Sequence, residues 1–221
     1  MKILVIDIGG TNVKVKANNA EERRKIPSGD FMTPELLVEK VKENTQDWDY
    51  DYISIGFPSV VKNGQIVQEP VNIGKGWVGF DFEAAFGKPV RILNDAAMQA
   101  LGSYQGGTLL FMGFGTGMGT AIIVDGKVLP TELAHLPYKK GSYEEYVGVR
   151  GLEKIGLKKW QKHVLNIVDL FSKAIRPDDI VLGGGNSKYL TEIPEGCRLG
   201  NNKLAFEGGL RMWEMPEFTH K

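Results

Sequence analysis

Apolar residues along the chain fall into short runs separated by glycine turns, with a few stretches of helical periodicity between them. Residues 3–6, Ile-Leu-Val-Ile, form a continuous apolar run of the kind buried on both faces of a sheet. After Gly9-Gly10 the chain resumes at 13–17 with strict alternation, which predicts strand, tight turn, strand. Thr33, Pro34 and Glu35 read as N-cap, first helical position and first-turn acid, and Leu36, Leu37 and Val41 supply the apolar stripe of the helix that follows. Residues 52–56 and 90–93 return as core strands. Asn63-Gly64 and Asp125-Gly126 are hairpin signals, because both central residues of a type I′ turn need positive φ; the second joins 120–124 to 127–129. Over 157–175, Trp160, Val164, Ile167, Val168, Phe171 and Ile175 share one face, with Lys158, Lys159, Lys162, Asp169 and Lys173 mostly opposite, until Pro177 stops the helix. Residues 180–182 predict a short buried strand before Gly183-Gly184-Gly185, and 204–213 a last helix despite Gly208-Gly209.

Two glycine-rich turns carry the candidate chemistry: Asp7-Ile8-Gly9-Gly10-Thr11, and Gly113-Phe114-Gly115-Thr116-Gly117-Met118-Gly119-Thr120. Each lies between two β-type runs, so the architecture reads as duplicated: an α/β chain of two domains, 1–105 and 106–221, divided at Gln105-Gly106-Gly107. The last helix is expected to pack back on the N-terminal domain. A glycine turn lets backbone N–H groups approach a phosphate without Cβ atoms in the way. Gly9, Gly10, Gly115, Gly117 and Gly119 suit that use, and Thr11 and Thr116 each add a hydroxyl. Each turn alone is equally a plain hairpin; the pair points to two jaws on one phosphate chain. Asp7 suits Mg²⁺ held through water, or an Asx-type turn. Asn94-Asp95 ends a core run and opens the apolar stretch Ala96-Ala97-Met98, so one of the two caps a helix while the other faces a cleft. For transfer to an alcohol, a carboxylate accepting the hydroxyl proton is the minimal base, and Asp95 is the candidate.

Composition narrows the partners. Lys plus Arg and Asp plus Glu both number 27, so no overall field favours nucleic acid or an anionic membrane. The single cysteine, Cys197, permits no internal disulfide and cannot build a structural zinc site. No apolar run is long enough to span a bilayer, and Met1-Lys2 leads directly into a strand without a secretory h-region. A soluble cytoplasmic protein is expected.

The motifs at 7–14, Gly56-Phe57-Pro58-Ser59-Val60-Val61 with Gly64, Asn72-Ile73-Gly74-Lys75-Gly76-Trp77, Asn94-Asp95-Ala96, the loop at 113–119, Glu132-Leu133-Ala134-His135 and Gly183-Gly184-Gly185 occur in a telling order. Their order and spacing resemble those of the ROK-family sugar kinases, of the hexokinase, actin and chaperone ATPase superfamily. Within that family the chain is most similar to the polyphosphate glucokinases, through residues 72–82, Gly156-Leu157-Lys158-Lys159-Trp160 and Asn201-Asn202. The resemblance implies a two-domain actin-like ATPase (ribonuclease H-like) fold with a ligand cleft between the domains, and a homodimer. It implies that Asp95 is the general base, that Asn94 binds the sugar, and that Glu132 and His135 grip ring hydroxyls. A further sugar acid falls at Glu144 or Glu145; Ser142 and Glu145 have capping-box spacing, which leaves Glu144 for the sugar. Asn72 and Trp77 line the same pocket, unless Trp77 is a packing plug. Ser59 departs from the glycine common after that proline. Asp7, Gly9, Gly10, Thr11, Lys14, Gly115, Thr116 and Gly117 form the phosphate-binding set, and Gly183, Gly184 and Gly185 face a nucleotide. Where many relatives carry a cysteine cluster for zinc, this chain has Tyr138-Lys139-Lys140-Gly141-Ser142, so no structural zinc is expected. The implied reaction is Mg²⁺-dependent phosphorylation of the 6-hydroxyl of glucose, or of mannose, from ATP or polyphosphate. For the latter, Lys139, Lys140, Lys158, Lys159, Lys162, Arg176 and Lys188 offer a basic track. The alternatives are a kinase of an N-acetylated hexosamine and a non-catalytic sugar sensor on the same fold.

Overall fold

The computed structural model describes residues 1–201 and 203–214. Asn202 of the Asn201-Asn202 pair, and residues 215–221 of the expected C-terminal domain, lie outside the described residues. The chain divides into two compact units, Met1–Met98 with Ala205–Lys221, and Gln99–Leu204. The division falls inside a helix, a few residues before the Gln105-Gly106-Gly107 turn.

In the first unit, β1 (Ile3–Ile8) hairpins into β2 (Asn12–Ala17), and β3 (Arg24–Pro27) pairs antiparallel on β2. After α1 (Pro34–Asn44), β4 (Tyr52–Phe57) pairs parallel to β1. The hairpin of β5 (Val61–Lys62) and β6 (Gln65–Ile66) and the short α2 (Phe82–Phe86) follow; β7 (Val90–Asn94) then pairs parallel to β4. The sheet order is β3-β2-β1-β4-β7. Ile3 to Ile6 are all buried, as a run covered on both faces requires, and β2 alternates between buried and half-buried positions. Thr33 caps α1 through Leu36 N–H and Pro34 opens it. Asn63 and Gly64 both have positive φ.

The second unit repeats the plan. It begins within α3 (Asp95–Ser103) and continues into β8 (Thr108–Phe114), β9 (Met118–Val124) and β10 (Lys127–Thr131), an antiparallel meander. A two-residue ladder follows, β11 (Pro137–Tyr138) with β12 (Gly141–Ser142), and then α4 (Tyr143–Val147), α5 (Val149–Ile155) and α6 (Leu157–Ile175). Finally β13 (Asp179–Gly183) pairs parallel to β8, and β14 (Cys197–Leu199) parallel to β13. The order β10-β9-β8-β13-β14 is the first sheet's plan over again. The stripe Trp160, Val164, Ile167, Val168 and Phe171 is buried, and α6 ends at Arg176 in the left-handed region, one residue before Pro177.

The last helix, α7 (Leu204–Arg211), belongs to the first unit from Ala205 onward. Glycine inside a helix costs about 1 kcal/mol relative to alanine, and here it gains close approach: a Cβ on Gly209 would strike the Val5 side chain. Fully buried Ser54 fixes the contact, its hydroxyl donating to Gly209 C=O at 2.5 Å and accepting from Trp213 Nε1 at 2.9 Å. Tyr52 and Arg91 pack on the Trp213 ring, 4.7 and 4.1 Å from it. Replacing Ser54 with alanine strands a buried carbonyl and an indole N–H, so Ser54→Ala should lower unfolding free energy by about 1–3 kcal/mol, read as a urea-midpoint shift. An unchanged midpoint would mean that this bond does not hold the helix.

Candidate active site

In the first unit the candidate residues gather at the carboxyl ends of three neighbouring parallel strands, where open α/β sheets place their ligands. Asp7 on β1 is in register with Gly56 on β4, and Gly56 with Leu93 on β7. Two strand spacings put Asp7 about 10 Å from Leu93, and β7 ends one residue later at Asn94. Gly56 has a steric reason: a Cβ there would run into the Met98 methyl and come within 3.7 Å of Asp95 Cα.

Asn94 resolves the choice of cap. Its Oδ1 accepts from Ala96 N–H at 3.0 Å and Ala97 N–H at 3.2 Å, and its Nδ2 donates to Ser59 C=O at 3.2 Å. That leaves one Nδ2 hydrogen for a ligand and ties the Pro58-Ser59 loop to the start of α3. Asp95 therefore occupies the first helical position, half-buried, with Oδ1 taking Ala96 N–H at 2.7 Å.

The first glycine turn is built partly for itself. Gly9 N–H closes the turn onto Asn12 C=O at 3.1 Å, so of the predicted donors it is Gly10 and Thr11, both exposed, that face outward chemistry. Lys14, directly across the hairpin from Asp7, pairs with it at 3.0 Å. Asn72 lies beside this turn: a Cβ on Gly10 would sit 3.2 Å from Asn72 Cβ. Trp77 is a correction to the pocket reading. It is fully buried against Phe57, its Nε1 donates to Gly74 C=O at 2.6 Å, and three successive N–H groups, of Gly76, Trp77 and Val78, grip the Glu69 carboxylate at 3.1–3.3 Å. The indole is a plug that shapes the loop.

In the second unit, Gly115 N–H closes its own turn onto Gly117 C=O at 3.0 Å. Val149 N–H donates to Gly115 and Thr116 C=O, and Asn186, which sequence reasoning missed, clamps the turn through Nδ2 to Gly115 C=O at 3.1 Å and N–H to Phe114 C=O at 2.9 Å. Thr116 stays exposed. Gly183 and Gly184 have packing reasons. A Cβ on the first would meet the Phe111 ring and one on the second, at φ +80°, would enter the Phe114 backbone, while Gly185 faces open space. Gly119 lies in β9 opposite Gly113, inside the ladder and not in the turn.

Ser142 and Glu145 form the complete capping box of α4, with Ser142 N–H to Glu145 Oε2 at 2.6 Å. Glu144 turns the other way, onto the glycine turn: Oε2 lies 3.4 Å from Met118 N–H and occupies the space a Gly117 side chain would need. Glu132 pairs with His135 Nε2 at 3.3 Å, both partly exposed. Burial pushes the Glu132 carboxyl above its ordinary range; His135 opposes this and the nearby Glu144 charge adds to it. Glu132, His135 and Glu144 therefore make one polar cluster beside the glycine turn. Burial and Asp179 push the lone thiol, Cys197, up to about 11, which makes it a weak nucleophile.

For magnesium the donor set is sparse. Among the described residues no three His, Cys, Asp or Glu side chains group as ligands. A single carboxylate still suits an ion that keeps most of its waters and takes its remaining oxygens from substrate phosphates; Asp7, the expected one, is paired with Lys14 at 3.0 Å through one of its two oxygens.

The chain has relatives among known proteins. The ROK family model matches residues 3–132, and the chain belongs to the ROK family, with the two-domain actin-like fold of its kinases. Polyphosphate glucokinase of Mycobacterium tuberculosis is 29% identical over 205 aligned positions, covering 83% of this chain and 77% of its own length. An N-acetylmannosamine kinase of Salmonella typhimurium is 29% identical over 145 positions, covering 58% of this chain and 50% of its own. The crystal structure of an inorganic polyphosphate/ATP-glucomannokinase from an Arthrobacter strain superimposes with a TM-score of 0.77 at 25% identity, covering 94% of this chain and 96% of its own. No helix of the described residues is long and apolar enough to cross a membrane.

The raised Glu132 carboxyl has a signed consequence. Its contribution to stability is fully present below the unfolded value of about 4.3 and is lost as pH rises through the higher folded value. Glu132→Gln should therefore gain stability relative to the parent as pH is raised from about 4 towards 7, seen as a widening gap between urea midpoints. A gap that stays constant with pH would mean that this half-exposed carboxyl is not desolvated enough to titrate above its ordinary range.

Proposed function

We propose that this ROK-family phosphotransferase transfers a phosphoryl group from polyphosphate or ATP to the 6-hydroxyl of glucose, with mannose as a second acceptor. The observation that carries the reading is the carboxylate of Asp95, held at the first position of α3 where β7 ends, on the same carboxyl edge of the sheet as Asp7 and two strands across from it. Asp95 accepts the hydroxyl proton as the sugar oxygen forms its bond to phosphorus and the bridging P–O bond of the donor breaks. Asn94, through its remaining N–H, and Asn72 position the acceptor. Glu132 and His135 hold ring hydroxyls, and Glu144, lying on the second turn, joins them. Gly10, Thr11, Thr116 and Gly117 present N–H and hydroxyl donors to the phosphates, with Lys14 as counter-charge. Gly9 and Gly115 serve by shaping the turns, and Gly183, Gly184 and Gly185 border the donor. Magnesium, when bound, would neutralise donor charge, and Asp7 would hold it through water. The polyphosphate glucokinase and glucomannokinase relatives support both the sugar and the donors. The N-acetylmannosamine kinase relative supports an N-acetylated hexosamine as the second reading of the acceptor. A homodimer working in the cytoplasm completes the proposal.

The test is a coupled assay crossing glucose, mannose and N-acetylmannosamine with ATP and long-chain polyphosphate, on the parent and on Asp95→Asn. Glucose should be the best acceptor, and Asp95→Asn should lower kcat by about 10²–10⁴-fold while the dissociation constant for glucose changes little. Loss of glucose binding with intact turnover per bound sugar would contradict the role of Asp95.

A further inference from the structure

The second unit contains a hollow of about 350 Å³ lined by Tyr138, Lys139, Lys159, Lys162, His163 and Asn166. Two elements build it. The tight β11–β12 turn brings up Tyr138 and Lys139, the latter in the left-handed region at φ +52°. One outward stripe of α6, at 159, 162, 163 and 166, supplies the remainder at the spacing that aligns helix side chains. The floor is fixed: the Tyr138 hydroxyl lies 3.1 Å from Asn166 Nδ2 and 3.0 Å from His163 Nδ1. With the hydroxyl accepting from Asn166, its own hydrogen goes to His163 Nδ1, which leaves Nε2 as the N–H donor of the neutral ring. Burial and the Lys139 charge both hold His163 below its ordinary range, consistent with that neutral form.

The charge of the hollow is unbalanced. Among the described residues no carboxylate lies within ion-pair distance of Lys139, Lys159 or Lys162. Positions three and four residues from Lys159 and Lys162 on α6 hold lysine, histidine or neutral residues, whereas further along the helix Lys173 pairs with Asp169 at 2.7 Å. Lys162 also lines an adjoining hollow with Lys158 and Glu192. No aromatic face is offered to a purine, since Tyr138 stacks on Tyr143 at 4.8 Å and lies under the Lys139 ammonium at 5.6 Å, and Tyr146 packs on the His163 ring at 4.9 Å. The hollow suits a ligand that is all anion. Its position suits a chain: α4 carries Glu144 at the glycine turn and Tyr143 and Tyr146 against Tyr138, so turn and hollow flank one helix about 10–12 Å across.

We propose that this hollow binds a segment of a condensed phosphate chain away from its reacting end, with Lys139, Lys159, Lys162 and His163 Nε2–H as the donors. The proposal rests on the polyphosphate half of the function above, and free orthophosphate is the other source of the same chemistry.

Calorimetric titration of tripolyphosphate and of orthophosphate into the parent and into Lys159→Gln/Lys162→Gln separates them. Steady-state kinetics with long-chain polyphosphate and with ATP runs alongside, and Lys127→Gln/Lys173→Gln removes the same charge outside both the hollow and the basic track. The expected result is at least a tenfold loss of tripolyphosphate affinity and a tenfold rise in the KM for polyphosphate in the hollow variant alone. The KM for ATP and for sugar should move less than twofold. Tripolyphosphate affinity unchanged in the hollow variant, or equally weakened in the control variant, would overturn the proposal. So would orthophosphate binding as tightly as tripolyphosphate. ATP-dependent sugar phosphorylation that persists in those cases leaves the kinase reading standing. Absence of sugar phosphorylation with every donor, together with selective loss of tripolyphosphate affinity, would overturn the kinase reading and support the hollow.

Discussion

The junction between β7 and α3 is the constraint on which the candidate chemistry depends. A helix that starts directly at a strand end must satisfy its first N–H groups locally, and Asn94 does so with one amide oxygen for both Ala96 and Ala97. With the cap supplied from the strand's last residue, Asp95 falls on the first helical turn, where the partial positive charge of the helix end favours a carboxylate. The same junction needs room beside it, and Gly56 on the neighbouring strand provides that room by lacking the Cβ that would meet Met98. Asn94 also reaches across to Ser59, so the serine that departs from the family's glycine is held at the site by its backbone carbonyl.

The duplicated plan explains why two glycine turns occur at all. In each unit the first strand hairpins into its antiparallel neighbour and is flanked on the other side by a parallel strand. Each turn carries one N–H that closes it and leaves the following residues at the surface. The units then differ by what is laid on the turn. The first has Lys14 paired with Asp7 across the hairpin. The second has Glu144, with Glu132 and His135 near it, and the Asn186 clamp.

Much of this was legible in the sequence because local physics and fold agree. The alternation of β2, the Thr33-Pro34-Glu35 start of α1, the apolar stripe of α6 and the Asn63-Gly64 and Asp125-Gly126 turns each carry a period or a φ requirement that few structures satisfy. The Ser142–Glu145 capping box was equally readable, since its spacing states its hydrogen bonds. Trp77 was ambiguous because an indole among glycines suits a pocket or a core, and only the Phe57 contact and the Gly74 carbonyl decide. The strand Arg24–Pro27 and the short helices α2 and α5 were missed, being too short to show a period, and of α4 only the capped start was visible. Asn186 and the Tyr138–His163–Asn166 network depend on contacts between residues far apart in sequence, for which local pattern holds no signal.

The proposed chemistry stands on Asp95 as the proton acceptor for the attacking sugar hydroxyl. The most direct measurement is a crystal structure of the protein with glucose and a non-hydrolysable phosphoryl donor. The account predicts an Asp95 carboxylate oxygen about 2.6–3.2 Å from the glucose 6-oxygen. A sugar bound with that oxygen turned to Glu132 and His135, and Asp95 out of hydrogen-bond reach, would contradict it.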